Sequence, residues 1–168
     1  MDTGPLRASL ASFPAALRAA CADLDDERAR VRPPGGGWSV VEVARHLLDE
    51  ERRDFRPRIE ATLAGAKEWE PIDPEGWASG GAYLGASLAE TLDAFQSERG
   101  AALAWLDALA SPDWNATYAH PELGELTAGD LYASWAAHDA LHLAQLARVR
   151  AHVLAASAAP HGIRYATG

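Results

Sequence analysis

Apolar side chains recur at helical spacing in four segments of the chain, which are separated by stretches rich in glycine and proline. Within each segment the apolar positions lie three or four residues apart, so that one face of each helix is apolar. The predicted helices cover about residues 6–28, 40–64, 83–109 and 127–156. Because no convincing strand pattern is present, the sequence predicts an all-α four-helix bundle.

Capping motifs mark the starts of the second and fourth helices. Ser39 is followed three residues later by Glu42, and Thr127 is followed at the same spacing by Asp130. In a capping box these paired side chains satisfy backbone N–H groups that the first helical turn leaves without partners. Both helix starts are therefore predicted from local sequence as well as from periodicity.

Prolines interrupt the first two predicted helices. Pro14 predicts either a kink in the first helix or a later start near Ser12. Pro57 predicts a bend in the second helix, because a proline inside a helix removes a backbone hydrogen bond.

Three stretches lie outside the predicted helices. Residues 65–81 form a long loop that contains Trp69 and Trp77. Loops of this length are often functional, but we interpret this one as a surface flap whose tryptophans cover the bundle. Residues 114–125 are expected to include a short extended turn, and residues 157–168 are expected to form a loose tail.

Composition narrows the classes of function. The chain has 168 residues, which fits a single domain, and its net charge of −9 disfavours binding to nucleic acid or to anionic membranes. We find no signal peptide and no apolar run long enough to span a bilayer. Cys21 is the only cysteine and is expected to be a small core residue. These features predict a cytoplasmic protein that binds neither nucleic acid nor membranes, and the small-molecule substrate that we expect follows from the candidate chemistry described next.

Histidines on the fourth helix provide the clearest candidate chemistry. His138 and His142 are four residues apart and share the face that should point into the bundle. This spacing can place two imidazoles on one metal ion, although two buried neutral histidines would show the same spacing. His46, early in the second helix, is a candidate third ligand. Three imidazoles suit zinc, nickel, iron or copper rather than magnesium or calcium. The remaining histidines are predicted to lie outside this cluster: His120, His152 and His161.

Charged residues near these histidines have less specific interpretations. Asp139 is predicted to be exposed or to cap the chain, because it lies off the histidine face. Residues 49–54 are interpreted as a solvated charged face. Glu42, Asp49 and Glu50 could each orient an imidazole from the side away from the metal, as metal-bound histidines usually require. For each of them, however, a solvated position is the simpler interpretation.

Three sequence blocks resemble the DinB-like superfamily. Residues 38–47 match W-S-x-x-E-x-x-x-H-L, residues 120–127 match H-P-x-x-G-x-L-T, and residues 137–146 contain H-x-x-x-H-x-x-Q-L. The resemblance covers about residues 5–155. It implies an up-down four-helix bundle, often a homodimer, with a long loop between helices two and three. It also implies a metal ion held by His46, His138 and His142, with zinc as the first choice and nickel or iron as alternatives.

Three functions remain open from the sequence. Some members of this superfamily act on low-molecular-weight thiols, which implies a metal-dependent thiol S-transferase with such a thiol as co-substrate. A metal-dependent hydrolase and a non-enzymatic stress-response bundle that binds metal are the alternatives. A hydrolase should carry a general base beside the open coordination position, and Glu50 is the first candidate for that role.

Overall fold

The structure is a computed structural model and describes residues 1–79 and 82–167. Within these residues the chain forms helices together with one short hairpin between the last two long helices. The helices are α1 (Gly4–Cys21), α2 (Asp26–Ala29), α3 (Val40–Arg53), α4 (Phe55–Leu63), α5 (Pro74–Ser79), α6 (Leu88–Ala108), α7 (Ala128–Ser157) and α8 (Arg164–Thr167), and the strands are β1 (Thr117–His120) and β2 (Gly124–Thr127). The predicted all-α four-helix bundle is confirmed, with α3 and α4 together forming its second helix.

The long helices pack in two parallel pairs. Near one end of the bundle, the late part of α1, the early parts of α3 and α6 and the late part of α7 share one apolar cluster. Near the other end, early α1, α4, late α6 and early α7 share a second cluster. Helices α1 and α7 therefore run in one direction, whereas α3–α4 and α6 run in the opposite direction. The order along the chain is up, down, down, up rather than the alternating up-down order that the resemblance implied, because α4 ends at the second cluster and α6 begins at the first. This arrangement places α3 antiparallel to α7, so that residues early in α3 face the middle of α7.

The second bundle helix is interrupted at Asp54, which has φ −113° and ψ −91°. The sequence predicted a bend at Pro57, but the interruption lies one turn earlier. The pyrrolidine ring of Pro57 would clash with the carbonyl group of Arg53, four residues before it, if the helix were continuous. Pro57 is instead accommodated in the first turn of α4, and Phe55 becomes the first residue of that helix.

Both predicted capping boxes are present. The Ser39 backbone N–H donates to Glu42 Oε2 at 2.9 Å, and the Thr127 backbone N–H donates to Asp130 Oδ2 at 2.8 Å. The sequence placed the start of α6 near residue 83, whereas the helix begins at Leu88. Residues 82–86 form turns and a bend there, because the side chain of Ser87 caps α6.

The first predicted helix is also corrected. Helix α1 starts at Gly4 and continues through Pro14, so a start near Ser12 is wrong. It ends at Cys21 rather than at residue 28, because the Asp25 side chain accepts a hydrogen bond from the Arg28 backbone and caps the separate turn α2. Cys21 is buried in the apolar core, as predicted.

The segment that carries Trp69 packs against the hairpin. The extended turn predicted within residues 114–125 is a two-stranded antiparallel hairpin. The Trp69 ring stacks on the Tyr118 ring of this hairpin, with the ring centroids 3.8 Å apart. Helix α5 lies within the predicted loop, whose last two residues, 80 and 81, fall outside the described residues. In the described ranges, no helix combines the length and apolarity that spanning a membrane would need.

A buried ion network crosses the centre of the bundle. The Arg99 guanidinium, 1% exposed, donates to both oxygens of Glu51 at 2.7 and 2.8 Å and to both oxygens of Asp139 at 2.7 and 3.1 Å. It also donates to the Leu10 carbonyl at 3.0 Å, and Trp135 Nε1 donates to Glu51 Oε2 at 3.1 Å. These bonds join all four long helices at one cation.

This network corrects two predictions. Asp139 is 2% exposed and pairs with Arg99, so its predicted exposed position is wrong. Residues 49–54 are not a solvated face, because only the two arginines of the run are exposed. Its four acidic side chains are buried: Asp49, Glu50, Glu51 and Asp54. For Glu51 and Asp139 the physical reason is that their common cation, Arg99, lies on α6, so that neither the α3 nor the α7 sequence alone reveals the pairing. Asp49 and Asp54 pair instead with arginines one turn away, Arg45 and Arg58.

Candidate metal centre

The three predicted histidines meet between α3 and α7. His138 Nε2 lies 3.0 Å from His142 Nε2 and 3.4 Å from His46 Nε2. One ring nitrogen from each histidine lies within 4.8 Å of the other two, a separation that allows all three to ligate one ion. In the described part of the chain, no aspartate, glutamate or cysteine joins this group.

Local sequence explains why these side chains converge. The capping box fixes the start of α3 at Val40, which places His46 nearly two turns into the helix. His138 and His142 lie one turn apart on α7 and project from the same face. Because α3 and α7 are antiparallel neighbours, the three imidazoles face one another.

Burial keeps the imidazoles neutral. Burial, together with repulsion from His142, lowers the pKa of His46 to about 4. Burial, together with repulsion from His142, His46 and Arg99, lowers the pKa of His138 to about 3. Burial also lowers the pKa of His142. At neutral pH each ring therefore carries a free lone pair, which is the form that binds a metal ion.

Two side chains lie behind the imidazoles, on the side away from the shared centre. His142 Nδ1 lies 2.7 Å from the Oε1 atom of Gln145. As the donor to that oxygen, Nδ1 carries the proton and leaves the Nε2 lone pair directed at the other histidines. This geometry is the usual arrangement behind a metal-binding histidine.

Glu50 occupies the equivalent position behind His46. Its Oε1 atom lies 3.8 Å from His46 Nδ1, and both atoms are buried without a hydrogen-bond partner. Burial and the neighbouring Asp54 carboxyl group raise the pKa of Glu50 to about 9. A histidine that holds a cation through Nε2 must carry its proton on Nδ1, where Glu50 is the nearest acceptor. These two buried atoms without hydrogen-bond partners, His46 Nδ1 and Glu50 Oε1, therefore fit a site in which His46 binds a cation.

Aromatic rings form walls of the centre. The Trp38 ring lies 4.7 Å from the His46 ring, and the Phe55 ring lies 5.1 Å from the His138 ring, measured between centroids. Trp38 is held by the turn that precedes the Ser39 cap, and Phe55 is placed by the interruption at Asp54. Such walls limit access of water and strengthen electrostatic interactions within the site.

The other sequence candidates lie elsewhere. Glu42 caps α3 and pairs with Arg32, and Asp49 accepts a hydrogen bond from the Tyr83 hydroxyl at 2.6 Å. Of the three proposed orienting carboxylates, Glu50 alone lies beside one of the three clustered histidines, His46. The histidines predicted to lie outside the cluster do so: His120 accepts backbone hydrogen bonds in the hairpin, and His152 and His161 are exposed.

Several contributing residues were missed from the sequence. Gln145 follows His142 by three residues, a spacing that places both side chains on one helix face, but no role was assigned to it. Arg99 continues the apolar stripe of α6 after Phe95, and an arginine at a core position is itself a signal of buried ion pairing. No sequence signal showed that Phe55 would begin a new helix against His138.

Gln145 offers a test of the orienting contact. We expect Gln145→Leu, which keeps the side chain's size but removes the acceptor, to weaken zinc binding by about 10- to 100-fold. The measurement is a competitive titration against a chelating dye. Gln96→Leu on α6 is a control outside the centre, and an equal effect of the two substitutions would contradict the assigned role.

Comparisons of sequence and structure find several proteins that are similar to this chain. A protein of Oceanobacillus iheyensis named "Putative metal-dependent hydrolase OB0782" is 30% identical over 142 aligned residues, and the alignment covers 80% of this chain and 77% of that protein. The structure of YfiT from Bacillus subtilis, described as "a probable metal-dependent hydrolase with an unusual four-helix bundle topology", superposes with a TM-score of 0.76. The superposition covers 86% of this chain and 83% of the YfiT chain, at 22% sequence identity. This likeness establishes that the two chains share a fold.

The family model for the DinB superfamily matches residues 10–146. The matched region includes both elements that form the centre, α3 and the first two-thirds of α7, and all three histidines. The chain therefore belongs to the DinB superfamily.

Proposed function

We propose that this protein is an enzyme in which His46, His138 and His142 hold a divalent metal ion, and that its reaction is the transfer of a low-molecular-weight thiol to an electrophile. The observation that carries the proposal is the meeting of three neutral imidazoles without a carboxylate among the described residues of the group. A divalent ion bound there supplies Lewis-acid activation of an incoming thiol or water. Zinc is the first choice for this ligand set, with nickel or iron as alternatives.

The protein's own residues would hold and shield the reacting groups. Gln145 accepts a hydrogen bond from Nδ1 of His142, which keeps the Nε2 lone pair of that ring directed inward. Glu50, 3.8 Å from Nδ1 of His46, would take the same role for His46 once it approaches within hydrogen-bond distance. Trp38 and Phe55 reduce access of water beside the ligands. In the transfer itself the thiol S–H bond breaks and its proton passes to solvent. The sulfur then forms a bond to carbon, and the leaving group departs with the electron pair of the broken bond.

The position of Glu50 favours thiol transfer over hydrolysis. A hydrolase of this kind needs a general base near the open coordination position. Glu50 lies 3.8 Å from Nδ1 of His46, on the side of the ring away from the shared centre, where it can orient the imidazole but is poorly placed to accept a proton from water. Thiols need no such base, because coordination to a dication is sufficient to deprotonate them.

Hydrolysis is the second candidate because two similar proteins carry names of metal-dependent hydrolases. The name of a relative does not define this chain's reaction, but it means that an ester or an amide must also be tested as a substrate. A bundle that binds metal without catalysis is the third possibility retained from the sequence.

A pair of assays separates these functions. Zinc- or nickel-loaded protein is incubated with a panel of cysteine-derived thiols and monochlorobimane, and thioether formation is followed by fluorescence. Hydrolysis of p-nitrophenyl acetate is measured in parallel, without thiol. We expect metal-dependent thioether formation that falls to the uncatalysed rate in His142→Ala. Hydrolysis without thiol transfer would favour the second candidate, and neither reaction in metal-loaded protein would contradict an enzymatic role with these substrates.

A further inference from the structure

A cleft of about 480 Å³ lies between the α3–α4 junction and the segment that carries Trp69 and Trp77. Three arginines line it, Arg52, Arg53 and Arg58, although the whole chain has a net charge of −9. A cluster of cations on an acidic protein focuses a local positive potential in a concave surface. The cleft is therefore suited to an anion.

The charges in the cleft are only partly compensated. Arg52 pairs with Glu98 at 2.8 Å, outside the cleft lining. The Arg53 guanidinium lies 4.9 Å from the centre of the Trp77 ring, and no carboxylate in the described part of the chain pairs with it. Glu70 is the acidic residue of the lining, and its side chain is exposed at the rim. Arg53 is thus the cation most available to a ligand.

A buried donor at the cleft, Trp69 Nε1, has no acceptor among the described residues. Buried N–H groups without acceptors are uncommon and destabilising. The Arg58 guanidinium lies 4.8 Å from the centre of the Trp69 ring and is paired with Asp54, whose Oδ1 atom lies 2.9 Å from Arg58 Nε. Both Arg58 and Trp69 line the cleft, so an oxyanion bound there would supply the acceptor that Trp69 lacks.

A smaller cavity adjoins the cleft. Arg58 and Trp69 line both, and the smaller cavity, of about 190 Å³, also includes Phe55 and Ser134. Phe55 lies against the His138 ring, and Ser134 precedes His138 by one helical turn. The smaller cavity therefore lies between the cleft and residues that neighbour His138, although none of the three clustered histidines lines it.

We propose that this cleft binds an organic anion, a carboxylate or phosphate attached to an apolar body. Its oxygens would accept hydrogen bonds from Arg53, Arg58 and Trp69. Its apolar part would contact Pro57, Ala61 and Ile72, which line the same wall. That this anion is the substrate of the metal centre rests on the proposed function, whereas binding in the cleft does not require the metal.

Fluorescence titrations with a matched pair of probes test the site. The anionic probe is 8-anilinonaphthalene-1-sulfonate, and the neutral one is N-phenyl-1-naphthylamine, which lacks the sulfonate. We expect the wild type to prefer the anion and Arg53→Ala to weaken its binding by about tenfold, the loss of one charge-assisted contact. Glu70→Gln is expected to tighten binding, because it removes the acidic group at the rim.

Arg56→Ala is the matched control, because it removes the same charge from the same region but Arg56 lines neither cavity. Equal weakening by Arg53→Ala and Arg56→Ala, or equal affinity for the two probes, would overturn the proposal. Arg53 is exposed, so we expect its replacement to leave the thermal midpoint unchanged.

The same titration on metal-free His138→Ala distinguishes failure of the cleft from failure of the proposed function. We expect the anionic probe to bind this variant as it binds the wild type. Probe binding that is retained in a protein without thiol transfer would leave the cleft intact and contradict only the enzymatic role. Loss of Arg53-dependent binding in an active enzyme would contradict only the cleft.

Discussion

Replacing Arg99 with methionine is expected to lower the free energy of unfolding by about 3–5 kcal/mol. The guanidinium is 1% exposed and makes all of its hydrogen bonds to Glu51, Asp139 and the Leu10 carbonyl. Burial alone would lower the pKa of Arg99, but the bonds to the two carboxylates outweigh it and raise the pKa. Removal of the cation would leave two buried carboxylates uncompensated, which is far more costly than the loss of an exposed ion pair.

Urea denaturation of the variant and of Arg18→Met measures this cost. Arg18 pairs with Asp93 at 2.6 Å on the surface, and its replacement should change stability by less than about 1 kcal/mol. The triple substitution Arg99→Met, Glu51→Leu and Asp139→Leu removes all three charges together. We expect it to be less destabilising than Arg99→Met alone, because no buried charge is left unpaired. Similar losses for Arg99→Met and Arg18→Met would show that the network contributes little.

Replacing His138 with alanine is expected to weaken zinc binding by more than about 100-fold, beyond the effect of losing an orienting contact. His138 Nε2 is the atom close to both other imidazoles, at 3.0 and 3.4 Å. The two histidines that remain lie on different helices and provide an incomplete ligand set for a transition metal. Competition with a chelating dye measures the affinity.

His152→Ala is the matched control for this substitution. His152 is on the same helix but exposed and outside the cluster, so its replacement should leave affinity within about twofold of the wild type. Circular dichroism of both variants checks that the fold is retained. Equal affinity of His138→Ala and the wild type would exclude His138 as a ligand.

The helices and the histidine cluster could be predicted because their signals are local. The spacing of His138 and His142 places them on one helix face, and the capping box at Ser39 fixes where His46 lies on the next. Their convergence then requires only that α3 and α7 be neighbours. The resemblance to the DinB superfamily supplied that pairing, which periodicity alone does not determine.

The buried charges could not be predicted from one helix at a time. Glu51 and Asp139 look like ordinary surface acids, because their partner Arg99 lies 48 and 40 residues away in the sequence.

The position of the interruption in the second bundle helix was predicted incorrectly for a different, local reason. Pro57 acts on the carbonyl group of the preceding turn, so the helix breaks before the proline and not at it. Phe55 reaches His138 as a consequence of that shift.

The most direct test of a three-histidine metal centre is the metal content of the purified protein. Elemental analysis by mass spectrometry should be made on the wild type, as isolated and after reconstitution with zinc or nickel and gel filtration, beside His138→Ala/His142→Ala. We expect close to one equivalent of a divalent transition metal per chain in the wild type and a small fraction of that in the double variant. Absence of bound metal in both proteins after reconstitution would contradict the centre and leave the three histidines as packing residues of the bundle.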